Sequence, residues 1–140
     1  MNLLSSKKRF FIVIAIGLCV VLAAVMYLSM SHEVNEPTVL FVTSSEAHEK
    51  ISEHQDAFIL DVRSSGEFTA SRVPGAVNIP YLNIEREQNL LPQDRNALIF
   101  VYCRTGRRAA IAASELLDLG YVNIVVFPGM ATWDYETVSG

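Results

Sequence analysis

The chain has 140 residues, of which 51% are hydrophobic and 19% charged, and its formal net charge is −4. This composition excludes a disordered, collagen-like or coiled-coil chain and leaves room for one domain of ordinary size. The apolar residues are unevenly spread, because the stretch from Phe10 to Met30 contains no charged side chain. That stretch therefore has the character of a targeting or membrane segment and is distinct from the rest of the chain.

The first predicted element is a membrane-spanning helix over residues 10–30. At about 1.5 Å per residue it would extend roughly 30 Å, the thickness of a bilayer core. Three basic residues (7–9) precede it, and the positive-inside rule then keeps the N-terminus in the cytoplasm and exports the rest. We expect residues 1–31 to be an uncleaved anchor and residues 32–37 a short tether, with the domain facing the periplasm or the cell exterior.

A cleaved signal peptide is the alternative for this segment. Signal peptides usually have a shorter apolar region, of about 7–15 residues. However, Ser29, Met30 and Ser31 form a small-x-small pattern at which a peptidase could cut, and the domain would then be secreted to the periplasm. Cys19 follows Leu18, where lipid attachment requires a small residue, so we interpret it as an ordinary residue of the apolar segment.

The part of the chain beyond the apolar segment is acidic. All 15 acidic residues but only 8 of the 11 Lys and Arg follow residue 31, which gives this part a net charge of −7. An acidic domain has no electrostatic basis for binding nucleic acid or an anionic membrane surface. Its basic residues are nevertheless concentrated at one place, where Arg104, Arg107 and Arg108 lie within five positions.

Strands and helices alternate along residues 38–140. The pattern predicts, in chain order, strand 38–42, helix 45–54, strand 57–62, a short helix at 65–71, strand 76–78, a helix at 81–91, strand 98–102, helix 106–119, strand 122–126 and a last turn at 130–137. Ser44 or Ser45, followed by Glu46, is typical of a helix start. This alternation predicts an α/β domain with an open parallel sheet and helices on both of its faces.

Cys103 is the single cysteine outside the apolar segment, so the exported domain cannot form an internal disulfide. A buried cysteine often acts only as a small hydrophobic residue. Here it ends the apolar strand 98–102, and a short loop containing Gly106 leads from it into a helix. In open α/β sheets, ligands bind at this position, beyond the carboxyl end of a strand.

The residues of the loop indicate a nucleophilic thiolate. Backbone N–H groups of a tight loop and of a first helical turn favour negative charge, and nearby arginines strengthen the effect. Gly106 suits a turn that needs a positive φ or a close backbone approach. A cysteine phosphatase would need its arginine at C-x5-R, whereas residue 109 is Ala109 and Arg108 comes one position earlier. We therefore expect a ring too tight for phosphate.

Three segments of the chain resemble the rhodanese family of sulfurtransferases. The first resembles the family's active loop and is Cys103-Arg104-Thr105-Gly106-Arg107-Arg108. The second, upstream, comprises Asp61-Val62-Arg63, Glu67-Phe68 and residues 73–80 (VPGAVNIP). The third comprises Gly120-Tyr121, Gly129 and Trp133. Their order and spacing agree over residues 38–136. The resemblance implies a rhodanese-like domain over residues 38–140.

This resemblance implies a sulfurtransferase that works through a persulfide on Cys103. The cysteine would take the outer sulfur of a donor such as thiosulfate, release sulfite, and pass the sulfur to a thiol or cyanide acceptor. Backbone amides of residues 104–108 would hold the persulfide, and the loop arginines would attract the donor. We expect no cofactor and no metal, because the three histidines are scattered and a single free cysteine does not make a zinc site.

Three other residues have two interpretations each. Asp61 and Arg63 lie at the end of a strand, at the same edge of the sheet as Cys103. Either they line the crevice there, or they are structural. In the structural interpretation, Asp61 caps a turn and Arg63 pairs with an acid such as Glu67. Trp133 is interpreted as a core aromatic beneath the loop in preference to a substrate platform. Two departures from the family pattern, at residues 71–73 and 128–129, leave the neighbouring loop conformation and the acceptor preference open.

The sequence leaves two alternatives to a sulfurtransferase of this type. A non-catalytic rhodanese-like module would bind a partner or carry sulfur for another enzyme; such modules often lack the cysteine, which this chain retains together with the loop glycine and arginines. A cysteine phosphatase or arsenate reductase is disfavoured by Ala109.

Overall fold

The computed structural model describes residues 3–30 and 36–140. These residues form two compact units that divide near residue 35. Most of the predicted tether, residues 32–37, lies outside the described residues, as does Ser31 of the alternative cleavage pattern.

The first unit is one long helix, α1, which spans Leu3–Met30. Its stretch Phe10–Tyr27 is long and apolar enough to cross a bilayer. Apolar side chains along this stretch, such as those of Phe11 and Val20, are exposed. By length and composition, α1 is a candidate membrane anchor or signal sequence.

The second unit contains one five-stranded sheet with helices. Its elements are β1 (Thr38–Phe41), α2 (Ser44–Glu53), β2 (Phe58–Asp61), α3 (Ser65–Ala70), β3 (Val77–Asn78), β4 (Leu98–Cys103), α4 (Arg107–Asp118) and β5 (Asn123–Gly129). The strand order is β1-β5-β4-β2-β3, and every neighbouring pair is parallel. The predicted open parallel sheet is confirmed.

Helices cover both faces of this sheet, as predicted. Side chains of successive strand residues point to opposite faces, so Val101 belongs to one buried cluster and Phe100 to another. Small residues of α4, including Ala109 and Ala112, complete the first cluster, and Ala47 of α2 belongs to the second. Because β4 is central, its side chains are buried on both faces, which explains its continuous apolar sequence.

The predicted helix over residues 81–91 is wrong. The structure has two short 3-10 turns there, Tyr81–Asn83 and Gln88–Leu90. Ile84 and Leu91 are buried and would share one face of a helix, but the exposed Gln88 interrupts that face and the exposed Leu82 would lie on the opposite one. The segment therefore lacks a continuous apolar stripe that would hold a helix against the core.

The start of α2 also differs from the prediction by one residue. Thr43, and not Ser44 or Ser45, is its N-cap: the Thr43 side chain accepts a hydrogen bond from the Glu46 N–H, and the Glu46 carboxylate accepts one from the Thr43 N–H. This reciprocal capping box satisfies two N–H groups that the helix itself leaves without partners.

The end of β5 fixes the position at which β4 ends. Tyr102 pairs with Phe127 but Cys103 pairs with Gly129, so the register shifts by one residue at a bulge. Beyond the bulge, the Met130 N–H donates to the Cys103 carbonyl at 3.1 Å and the Ala131 N–H donates to the Arg104 carbonyl at 2.9 Å. The chain that follows β5 therefore holds the last residue of β4 and the first residue of the loop after it.

Gly129 is required at this bulge, and Gly129→Ala should destabilise the fold. Its φ is +83°, and an added Cβ would overlap the Cys103 carbonyl oxygen and the Tyr102 ring. We expect the free energy of unfolding to fall by about 2–4 kcal/mol. Denaturant unfolding of the full chain in detergent, followed by the fluorescence of its single tryptophan, measures the change.

Gly66→Ala is the matched control for this substitution. Gly66 lies in α3, and a Cβ there would have no neighbour within 4 Å. The control should change the free energy of unfolding by less than about 1 kcal/mol. Equal effects of the two substitutions would contradict the role assigned to the bulge.

Candidate active site

Cys103 is the last residue of β4, and residues 104–106 connect it to the start of α4. Its side chain is only 1% exposed, and its Sγ accepts a hydrogen bond from the Gly106 N–H at 3.1 Å. Gly106 has a φ of +92° and immediately precedes α4. This left-handed conformation, which glycine adopts readily, turns the chain back so that an N–H group of the loop meets the sulfur.

A cavity of about 330 Å³ opens at Cys103. The residues that line it are Tyr81, Cys103, Thr105, Arg107, Arg108 and Ile111. Arg104 is exposed and is not among them. Of the three loop arginines predicted to attract a donor, the structure thus brings Arg107 and Arg108 to the cavity that contains the sulfur.

Arg108 is held in place by Glu67 of α3. Its two terminal guanidinium nitrogens each donate to one carboxylate oxygen of Glu67, both at 2.8 Å. The Glu67 carboxylate also accepts hydrogen bonds from the N–H and the hydroxyl of Ser64, the N-cap of α3. The short helix therefore orients the carboxylate, and the carboxylate orients the arginine.

The ion pair shifts the pKa of both partners. The hydrogen bonds from Arg108 lower the pKa of Glu67 to about 2, with Ser64 adding to the effect and burial opposing it. Hydrogen bonding to Glu67 raises the pKa of Arg108 above its usual value, and Cys103 raises it further. Arg108 thus carries a permanent positive charge beside the cysteine, largely neutralised by Glu67.

Asp61 and Arg63 form a buried ion pair and do not line the Cys103 cavity. The Asp61 carboxylate accepts hydrogen bonds from the Arg63 backbone N–H and side chain, and the Arg63 guanidinium also donates to the Ser71 carbonyl at 2.6 Å. The pairing of Arg63 with Glu67 suggested by the sequence is therefore wrong, since Glu67 binds Arg108. Asp61 and Arg63 support the loop between β2 and α3.

Tyr102, the residue before Cys103 on β4, lies beside the buried Asp61–Arg63 ion pair. Its hydroxyl accepts a hydrogen bond from the Val73 N–H at 3.1 Å. Burial and the negative charge of Asp61 raise the pKa of Tyr102 above its ordinary value, so the phenol is neutral at physiological pH. Tyr102 and the Asp61–Arg63 ion pair together position the chain from residue 61 to residue 73.

Trp133 packs against the sheet face opposite to the one covered by α4. It contacts Phe127 and His48, and its Nε1 donates to the Glu136 carbonyl at 3.0 Å. It lines a separate cavity and does not reach the one at Cys103. Trp133 is only partly buried: it packs against this face of the core from outside the buried cluster, and it does not lie beneath the loop that carries Cys103.

The sequence did not identify three residues that shape the site. The sequence indicates Glu67 only as part of a motif and as a partner for Arg63, and it does not single out Tyr81 or Ile111 as site residues. Ile111 could have been found, because it lies four residues after Arg107 on α4 and therefore on the same helix face. Within residues 3–30 and 36–140, no cluster of three His, Cys, Asp or Glu is placed to hold a metal ion.

Glu67→Gln should lower the free energy of unfolding by roughly 1 kcal/mol at neutral pH, because a bidentate ion pair is lost. The folded-state pKa of Glu67, about 2, lies below the ordinary value of 4.5. The pair therefore stabilises the fold fully above about pH 5 and loses that effect as the pH falls toward 2. Denaturant unfolding at a series of pH values should show the difference between the two proteins shrinking over this interval.

A double-mutant cycle separates the ion pair from the capping role of Glu67. With Arg108→Met already present, Glu67→Gln should remove only the capping contribution, and its cost should be smaller. An unchanged cost in that background would show that the ion pair does not stabilise the fold.

Comparison with known proteins identifies the family. The family model described as a rhodanese-like domain matches residues 43–134. The putative sulfur carrier protein YrkF of Bacillus subtilis is 33% identical over 90 residues, which are 64% of this chain and 48% of that protein. The thiosulfate sulfurtransferase PspE of Escherichia coli is 31% identical over 65 residues, 46% of this chain and 62% of that protein. The chain thus spans less than two thirds of either relative.

A solved structure has the same fold. The crystal structure of a rhodanese-like domain protein from Staphylococcus aureus matches with a TM-score of 0.62 and 27% identity, and the match covers 72% of this chain and 98% of that one. Together with a family model that spans more than half of the sequence, this match shows that the chain belongs to the rhodanese-like domain family.

Proposed function

We propose that this protein is a thiosulfate sulfurtransferase whose Cys103 carries the transferred sulfur as a persulfide. The observation that supports this most directly is the hydrogen bond from the Gly106 N–H to the Cys103 Sγ, at the floor of a cavity lined by Arg107 and Arg108. Backbone N–H groups and guanidinium groups around a reacting sulfur atom stabilise negative charge that develops there during a transfer. The anion is the reactive form of a thiol.

The first step of the proposed reaction transfers one sulfur atom to the enzyme. The Cys103 thiolate attacks the outer sulfur of thiosulfate, a new S–S bond forms, and the old S–S bond breaks with its electron pair leaving on sulfite. The product is a persulfide anion, whose negative charge the N–H groups of residues 104–108 would hold. Arg107 and Arg108 would orient the donor.

The second step restores the enzyme. An acceptor thiolate, or cyanide in an assay, attacks the outer sulfur of the persulfide, and the Cys103 thiolate leaves. Because the donor product departs before the acceptor reacts, ping-pong kinetics are expected. None of these transfers requires a cofactor or a metal.

The N-terminal segment supports a membrane-anchored form of this enzyme. In this proposal, residues 1–31 are an anchor with its N-terminus in the cytoplasm, residues 32–37 are a tether, and residues 38–140 are the catalytic domain in the periplasm or outside the cell. The basic residues before α1 and the length of its apolar stretch support this orientation. Cleavage of the segment would release the same domain.

A sulfur-carrier role is the second candidate. It is favoured by the similarity to YrkF, whose name describes a putative sulfur carrier protein. A carrier would also form a persulfide on Cys103, but it would deliver the sulfur to a specific protein and turn over slowly with small acceptors. Steady-state turnover therefore separates the two candidates.

Incubation with thiosulfate should load Cys103 with one sulfur atom. In the full chain, the intact mass should rise by the mass of one sulfur atom, and peptide mapping should place it on Cys103, because that thiol alone lies in the anion-binding loop. Cys103→Ser should abolish both the adduct and the release of thiocyanate from cyanide. Cys19→Ser, which removes the other cysteine, should leave both unchanged.

Two results would contradict the proposal. One is an unmodified mass after thiosulfate treatment while an aryl phosphate is hydrolysed, which would indicate a phosphatase. The other is an adduct on Cys19 with Cys103 unmodified, which would remove the assigned nucleophile.

A further inference from the structure

A second and larger cavity lies on the sheet face opposite to α4. Its volume is about 530 Å³, within the range of roughly 300–1,000 Å³ found for sites that bind small organic molecules. Residues of α2, of the loop at 73–75 and of the segment 133–136 line it, and it shares no lining residue with the cavity at Cys103. The sulfur chemistry proposed above does not use it.

The floor of this second cavity is apolar. Ile59 of β2 and Val73 are both buried and belong to the core cluster on that face of the sheet. Ile51 of α2 and Ala57 pack against the same cluster and also line the cavity. A molecule in the cavity would bury apolar surface there, which favours an organic group over a bare ion.

Three aromatic rings form one wall of the cavity, the aromatic wall. The His48 and Tyr135 rings are stacked with their centroids 3.7 Å apart, and the Trp133 ring meets each of them edge to face, at 5.6 Å and 5.3 Å. The Tyr135 hydroxyl donates to the Ser45 Oγ at 3.2 Å. The Trp133 Nε1 donates to the Glu136 carbonyl at 3.0 Å. Contacts within the protein therefore fix the aromatic wall in place.

The electrostatic character of the cavity favours a positive charge. None of the described residues that line it is Lys or Arg, and with His48 and His54 neutral its charged lining residue is Glu136. Within residues 36–140, the Glu136 carboxylate has no basic partner at ion-pair distance. The faces of aromatic rings also attract cations, those of tryptophan most strongly. An organic cation would therefore meet complementary charge, whereas an anion would be repelled.

From the apolar floor, the aromatic wall and the charge of Glu136, we infer that this cavity binds a small organic cation, in which a quaternary or protonated amine adjoins an apolar group. The cationic group would lie against the rings of Trp133 and Tyr135, on the side of Glu136. The apolar group would lie on Ile59 and Val73. This binding site goes beyond the proposed sulfurtransferase activity and does not depend on it.

Three small molecules that share a benzyl group test the charge preference. Benzyltrimethylammonium is a cation, benzyl alcohol is neutral and phenylmethanesulfonate is an anion. Trp133 is the single tryptophan of the chain, so a saturable change of its fluorescence reports binding to the full chain in a non-ionic detergent, at about pH 8, where an ordinary histidine is neutral. We expect the cation to bind about tenfold more tightly than the neutral molecule, because of its contacts with the ring faces, and the anion not to bind.

Two pairs of variants locate the site. Glu136→Gln should raise the Kd of the cation about threefold, the effect of losing one exposed ion pair. Asp134→Asn removes an exposed carboxylate that does not line the cavity, and it should leave that Kd unchanged. Tyr135→Leu keeps an apolar side chain but removes a ring, so it should lower the preference for the cation over the neutral molecule about threefold. Tyr135→Phe keeps the ring and should preserve the preference.

The outcomes decide the inference without reference to the sulfur chemistry, because the titrations contain no sulfur donor. A saturable response to the cation that weakens in Glu136→Gln and in Tyr135→Leu, but in neither control variant, supports it. Equal affinities for the three molecules, or equal effects of Glu136→Gln and Asp134→Asn, would overturn it. The absence of any saturable response to the cation would overturn it as well. Far-UV circular dichroism verifies that each variant is folded.

Discussion

The site depends on a tight connection between the end of β4 and the start of α4. Gly106 reverses the chain with a positive φ and donates its N–H to the Cys103 sulfur. On the other side, Gly129 allows the bulge through which the chain after β5 binds the carbonyls of Cys103 and Arg104. Gly106 thus binds the Cys103 side chain and Gly129 lies against the Cys103 backbone, each glycine in a conformation that other residues adopt only with strain.

A second set of contacts links this loop to the β2–α3 region. The buried Asp61–Arg63 pair fixes the chain from which α3 begins, the capping box of α3 fixes Glu67, and Glu67 fixes Arg108. The carboxylate orients Arg108 and balances most of its charge. In a domain with a net charge of −7, the loop nevertheless brings a second arginine, Arg107, to the same cavity.

Much of the architecture was accessible from the sequence, because it depends on periodicity. The apolar run of residues 98–102 predicted a strand buried on both faces, and the position of Cys103 at its carboxyl end followed from the loop and helix after it. The predicted helix over residues 81–91 was wrong because the exposed Gln88 interrupts the face that would carry Ile84 and Leu91. The partner of Arg108 and the cavity walls depend on contacts between distant segments, such as Glu67 with Arg108, which spacing along the chain does not encode.

The central claim, that the loop after β4 is an anion-binding cradle for sulfur carried by Cys103, is tested most directly by a crystal structure of the thiosulfate-treated protein. We expect extra density for one atom bonded to the Cys103 Sγ, within about 3.5 Å of two or more backbone nitrogens of residues 104–108. Density that points into the apolar core, away from these N–H groups, would contradict the account.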